Sequence, residues 1–159
     1  MVSLILFGFA LLFGVIHIVI KKQTYYPKWV ETLLAYILLF DMGIMGLLGA
    51  YAHVFMADET AKSIGWAPGS PFQFEVAMAN LSFGVLGIIC FWRRDSFWDA
   101  AIYGWCVLFF GCFVGHVISY YQNNNSAPYN IGPYIWFYDL LLPLLVLTLF
   151  LALRKEQKK

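Results

Sequence analysis

The chain has 159 residues, of which 62% are hydrophobic and only 12% charged, with a formal net charge of +1 and a mean hydropathy of +0.73. An average soluble domain is about 45–50% apolar and about 25% charged. The balance here excludes disorder, a coiled coil, a secreted disulfide scaffold and a nucleic-acid binder, and leaves a polytopic membrane protein. Cys90, Cys106 and Cys112 lie in apolar runs without CxxC spacing or neighbouring histidines, and read as small buried hydrophobes.

A membrane-spanning helix needs about 20 mostly apolar residues. Five runs meet that length, over residues 2–20, 33–55, 72–92, 100–121 and 134–153. The expected fold is therefore an all-α bundle of about five transmembrane helices in one integral membrane domain covering residues 1–159. The first run has no basic segment ahead of it, and Lys21 and Lys22 follow it, so it reads as a retained helix rather than a signal peptide. Before the third run, Ser70, Pro71 and Gln73 have the spacing of N-cap, N1 and N3, which predicts a capping box with Gln73 as the reciprocal cap. Gly132-Pro133 opens the fifth run in a similar way.

Charge sets the expected orientation. Lys21, Lys22, Lys28, Arg93, Arg94, Arg154, Lys155, Lys158 and Lys159 fall on one side of a five-pass layout, and Lys62 alone on the other. The positive-inside rule then puts the N-terminus outside and the C-terminus in the cytoplasm, with the prokaryotic inner membrane as the expected location. Tyr25, Trp29, Trp92 and Trp98 at one level, with Trp66, Tyr120, Tyr121 and Trp136 at the other, fit two interfacial belts. Gly43, Gly46 and Gly49 on helix two and Gly84 and Gly87 on helix three are surfaces for close helix packing. The small-xxx-small series Gly111, Gly115, Ser119 could glue the bundle, or meet a second copy or a membrane-complex partner.

Ionisable groups within membrane helices are rare and usually face the protein interior. His53, Glu75, His116 and Asp139 fall in the outer third of four different helices, and Asn80 and Asp41 lie nearer mid-membrane. These six are the candidate ligand- or ion-binding residues. Each has a plain structural account as well. Glu75 can serve the dipole at a helix N-terminus, His53 can sit at the interface, His116 can bond a backbone carbonyl, and Asp41 can donate one interhelical bond as the acid. Pro143 lies four residues beyond Asp139 and deprives its carbonyl of the helical partner, which predicts a kink there. Glu75 and Asn80 are about 140° apart around their helix and need not face one cavity, whereas Cys112 and His116, spaced i, i+4, share a stripe. No catalytic signature is present: no HExxH, GxSxG, phosphate loop or dinucleotide fingerprint. If a metal is bound, His53, His116, Asp139 and Glu75 are the ligand types available. No cofactor is strongly implied.

The segment Ser70-Pro71-Phe72-Gln73-Phe74-Glu75-Val76, with Ala79-Asn80-Leu81, Phe83-Gly84-Val85-Leu86-Gly87, Gly115-His116 and Ala127-Pro128-Tyr129-Asn130-Ile131-Gly132-Pro133, resembles a family of small, functionally uncharacterised prokaryotic polytopic membrane proteins. A glycine/proline loop entering a helix with an early glutamate is also faintly similar to DoxX-like proteins, which usually have four spans. The resemblance implies a membrane bundle and no particular activity. It places Glu75, Asn80, His116 and Asp139 within the matching stretch. Three functional readings follow. The first is binding or transport of a cation, proton or small polar solute through the outer cluster. The second is a structural or accessory subunit of a membrane complex. The third is a membrane redox or metal enzyme.

Overall fold

The computed structural model describes residues 2–158. Six helices account for most of them: α1 (Val2–Ile20), α2 (Tyr26–Phe55), α3 (Ala57–Ile64), α4 (Phe72–Cys90), α5 (Phe97–Asn123) and α6 (Pro128–Gln157). All but α3 are long and apolar enough to cross a membrane, and no strand occurs among the described residues. The first span matches the sequence expectation. Helix α2 starts seven residues earlier than its apolar run, because Pro27 at the first turn fixes a helical φ and Val30 and Leu34 bury into the bundle. The short α3 has no counterpart among the expected spans. It carries Asp58, Glu59 and Lys62 and has no spanning length.

Helix α2 sits at the centre, packed on α1, α4 and the second half of α6, while α5 packs chiefly on α6. The α2–α4 seam is built from glycine. A methyl on Gly46 would lie 2.8 Å from Gly84 Cα, Gly84 N and Asn80 O, and one on Gly87 would lie 2.7 Å from Gly43 Cα. Only residues without Cβ let the two backbones come this close. On the opposite side of α2, Trp98, Trp105, Tyr138, Leu142 and Phe150 fill the core between α5 and α6. The Trp98 indole N–H donates to the Cys90 carbonyl at 2.8 Å, satisfying an acceptor in the last turn of α4 that no water reaches. Outward faces carry Ile5, Phe9, Val19, Leu48, Val107 and Leu144, which suits contact with lipid.

Two segments depart from α geometry. Leu38–Ile44 in α2 and Trp136–Leu141 in α6 are wide π-helical turns. The Met45 N–H reaches back five residues to Phe40 O, and Leu142 N–H reaches Phe137 O in the same way. Each turn contains an aromatic-aspartate pair, Phe40-Asp41 in one and Tyr138-Asp139 in the other. Where a kink is expected near Pro143, the structure has the second of these wide turns, which ends two residues before the proline. Single π turns inside α-helices are frequent at functional sites.

One end of the bundle is tied by ion pairs. Arg94 meets Glu31 at 3.3 Å and Arg154 meets Asp99 at 2.8 Å. The Arg154 guanidinium also donates to Asp95 O at 2.8 Å. The basic residues of the turn at 21–25, the loop at 91–96 and the C-terminal turn therefore share this basic end. At the other end α3 lies across the bundle. Its last turn closes on Gly65 (φ +80°), a left-handed cap that glycine adopts without a steric penalty. Asn125 staples that cap, donating to Ile64 O at 2.9 Å.

Candidate functional site

Beneath α3, the helices enclose a cavity of about 570 Å³. Its walls come from α2 (Gly49, His53), α4 (Val76, Asn80), α5 (Phe109, Cys112, His116) and α6 (Tyr134, Tyr138, Asp139). Glu59, Ser63 and Tyr129 line it and are exposed, so it opens between α3 and the start of α6; Val2 and Leu48, also exposed, line a second open side along α1 and α2. The volume is in the range of small-molecule sites, and the lining has the usual composition of apolar and aromatic walls with a few convergent polar groups. Among the described residues, none that lines it is a lysine or an arginine.

Four of the six sequence candidates meet here: His53, Asn80, His116 and Asp139. Asn80 donates to Val76 O at 2.9 Å within its own helix, and its side-chain oxygen occupies the space a methyl on Gly49 would need. His53 Nδ1 bonds Gln73 Oε1 at 2.6 Å. Gln73 thus does not complete the expected capping box. The Ser70 hydroxyl accepts the Phe72 N–H at 3.3 Å instead, and the amide turns inward to hold an imidazole. The structure separates the other two candidates from the cavity. Glu75 is exposed on the far face of α4, as the angular spacing from Asn80 allows. Asp41 is fully buried in the first π turn, and neither carboxylate oxygen has a hydrogen-bond partner among the described residues. Its main-chain carbonyl accepts the Tyr138 hydroxyl at 2.7 Å, so the two π turns are joined directly.

His116 and Asp139 form the polar centre. They are 9% and 3% exposed, and His116 Nε2 faces Asp139 Oδ2 at 3.7 Å. Asn130, completely buried, bonds His116 Nδ1 through Oδ1 at 2.9 Å. Trp66 stacks over the imidazole with ring centroids 6.1 Å apart and planes 9° from parallel. Tyr129, Tyr134 and Tyr138 form a column along α6, with centroid separations of 5.3 Å and 5.6 Å. The sequence marks Gln73 only as a cap, and marks neither Asn130 nor this tyrosine column as part of a site. Amides and tyrosines near helix ends are the ordinary vocabulary of caps and interfacial belts, so nothing in their spacing marks them as partners of an imidazole. The segments that carry the family resemblance do contain Gln73, Tyr129 and Asn130.

Among the described residues, no group of three or more His, Cys, Asp or Glu side chains is placed to hold a metal ion. At Gly111 and Gly115 of α5 nothing lies within 4 Å of where a Cβ would stand, and Gly115 borders an open groove shared with Trp66, Phe72 and Gln73. The series on α5 therefore does not glue the chain to itself in the way Gly43, Gly46 and Gly84 do.

Against known proteins, the model of a family described as a family of unknown function (DUF6790) matches residues 1–159. No curated protein and no solved structure matches the chain.

Proposed function

The chain belongs to the DUF6790 family of unknown function, and we propose from its cavity that it is an integral membrane protein that binds a small cation, as the entry step of transport. The observation that carries this reading is the composition of the cavity. A buried carboxylate at its floor and Glu59 at its mouth are accompanied by tyrosine and tryptophan faces, with no lysine or arginine among the lining residues. Carboxylates attract a cation, aromatic faces add a further contribution of about 0.5–2 kcal/mol, and an anion would find no fixed positive charge. An amine with a small apolar body matches walls that are mostly carbon. On the nine-to-one distribution of basic residues, the N-terminus is outside, the basic end is cytoplasmic, and the mouth opens outward in a prokaryotic cytoplasmic membrane.

The test compares benzylammonium, benzyl alcohol and benzoate as stabilisers of the detergent-solubilised chain against thermal unfolding. A ligand at ten times its Kd stabilises by about 1.4 kcal/mol. Benzylammonium is expected to raise the unfolding temperature, and Asp139→Asn to abolish the rise. Equal effects of all three compounds would refute the charge preference. A second reading, a subunit of a membrane complex, is favoured by the open Gly111/Gly115 face. It predicts that Gly111→Leu detaches a partner from the gently extracted protein. An unchanged assembly removes it.

A further inference from the structure

The tautomer of His116 can be read from Asn130. The Asn130 amide nitrogen donates to His116 O at 3.2 Å and to Asn125 O at 2.8 Å. Both of its hydrogens are thereby used, and the amide cannot be turned over without setting its oxygen against two carbonyls. Oδ1 is left as the acceptor facing His116 Nδ1 at 2.9 Å, so Nδ1 carries hydrogen. Nε2 is then the ring nitrogen whose proton can come and go, and it faces Asp139 Oδ2 at 3.7 Å. The Tyr138 hydroxyl is spent on Asp41 O and is not offered to Asp139.

This arrangement has two charge states. With one proton, on Nε2 or on Oδ2, the pair is neutral overall and its two atoms are complementary. With none, two lone-pair atoms face each other and the site carries one net negative charge in a buried setting, which is costly unless balanced. Among the described residues, the titratable groups facing the pair supply no fixed positive charge. They are Cys112 on α5, Tyr129, Tyr134 and Tyr138 on α6, His53 on α2 and Glu59 on α3, while α4 contributes the neutral Asn80.

Resting on the cation-binding reading above, we propose that the cavity exchanges its cation for a single proton held between His116 Nε2 and Asp139 Oδ2. When a cation enters, the N–H or O–H bond of the pair breaks, the proton passes to water through the mouth at Glu59 and Ser63, and the cation takes over the balancing charge. When the cation leaves, a proton returns from water. The charge of the occupied site stays constant, and no oxidant or further reactant is involved. Asn130 is a positioning residue, since it confines the exchangeable proton to the nitrogen that faces Asp139.

Tetraethylammonium is a suitable probe, because its charge is fixed and it has no proton of its own to release. The full chain in nanodiscs is titrated with it in weakly buffered solution containing a pH indicator, and its affinity is measured across pH. At pH below the titration of the pair, release of one proton per probe bound is expected, with affinity rising about tenfold per pH unit and levelling off above it. Asp139→Asn should lose both the binding and the release while keeping the thermal stability of a folded chain. Saturable binding with no proton release and no pH dependence overturns the exchange and leaves the cation reading standing. Absence of binding even at alkaline pH overturns both.

Discussion

The glycine seam gives a stability prediction with its own control. Replacing Gly46 by alanine puts a methyl 2.8 Å from three backbone atoms of α4, where ordinary contact begins at 3.4 Å. Backbone cannot rotate aside as a flexible side chain can, so α2 and α4 must separate. Overpacking of this kind costs about 1–3 kcal/mol, and the stiff neighbours put Gly46 at the upper end. Alanine returns up to about 1 kcal/mol through its helix preference, leaving a net loss of about 2 kcal/mol. At Gly8 of α1, a methyl would have nothing within 4 Å of it, so Gly8→Ala keeps only the helix preference and should stabilise by up to about 1 kcal/mol. Reversible unfolding in mixed micelles titrated with sodium dodecyl sulfate, followed by circular dichroism, measures both. A neutral or stabilising Gly46→Ala, or equal shifts in the two variants, would refute the close backbone approach at Gly46.

Three further outcomes are expected. Trp98→Phe removes the indole donor to the Cys90 carbonyl and should cost about 1–3 kcal/mol in the same unfolding assay; a change within a few tenths would show that the acceptor finds another partner. Asn130→Ala should move the pH midpoint of tetraethylammonium affinity while leaving one proton released per probe, whereas a purely structural role would weaken binding equally at every pH. At the basic end, the Phe97 N–H and then the Arg93 guanidinium hold the exposed Asp95 carboxyl below the usual carboxylate range. Its contribution to stability is thus present above the carboxyl pKa of the unfolded chain and is lost as pH falls through the folded value. Asp95→Asn should flatten the acid limb of a plot of thermal stability against pH, and an unchanged limb would contradict this.

The spans were legible because lipid imposes length and apolarity directly on the sequence. Their ends were less so. Tyr26 to Thr32 is helical although Lys28 and Glu31 interrupt the apolar run, since an amphipathic turn beyond the hydrocarbon needs no continuous hydrophobicity. Depth alone groups His53, Glu75, His116 and Asp139 at one level and sets Asn80 further in; the cavity takes three of that group together with Asn80. Rotation about each helix decided the rest. It carries Glu75 outward and buries Asp41, whose main-chain carbonyl meets Tyr138. The π turns had only Pro143 as a forewarning, and Leu38–Ile44 had none. A wide turn depends on packing against neighbours, as Tyr138 packs its hydroxyl onto Asp41 O, rather than on a local residue pattern. The locking amides were legible as polar residues near helix ends but not as partners of particular imidazoles, which only the tertiary contacts bring within reach.

Cys112 offers the most direct test that the cavity admits cations. It lines the cavity one turn from His116, while Cys90 and Cys106 are buried elsewhere. Positively charged aminoethyl methanethiosulfonate and negatively charged sulfonatoethyl methanethiosulfonate are applied to the folded chain, and labelling at each cysteine is followed by peptide mass mapping. The cationic reagent should modify Cys112 about tenfold faster, equivalent to about 1.4 kcal/mol of charge preference, and Asp139→Asn should erase most of that difference. Equal rates, or a faster anionic reagent, would contradict a cation-selective site.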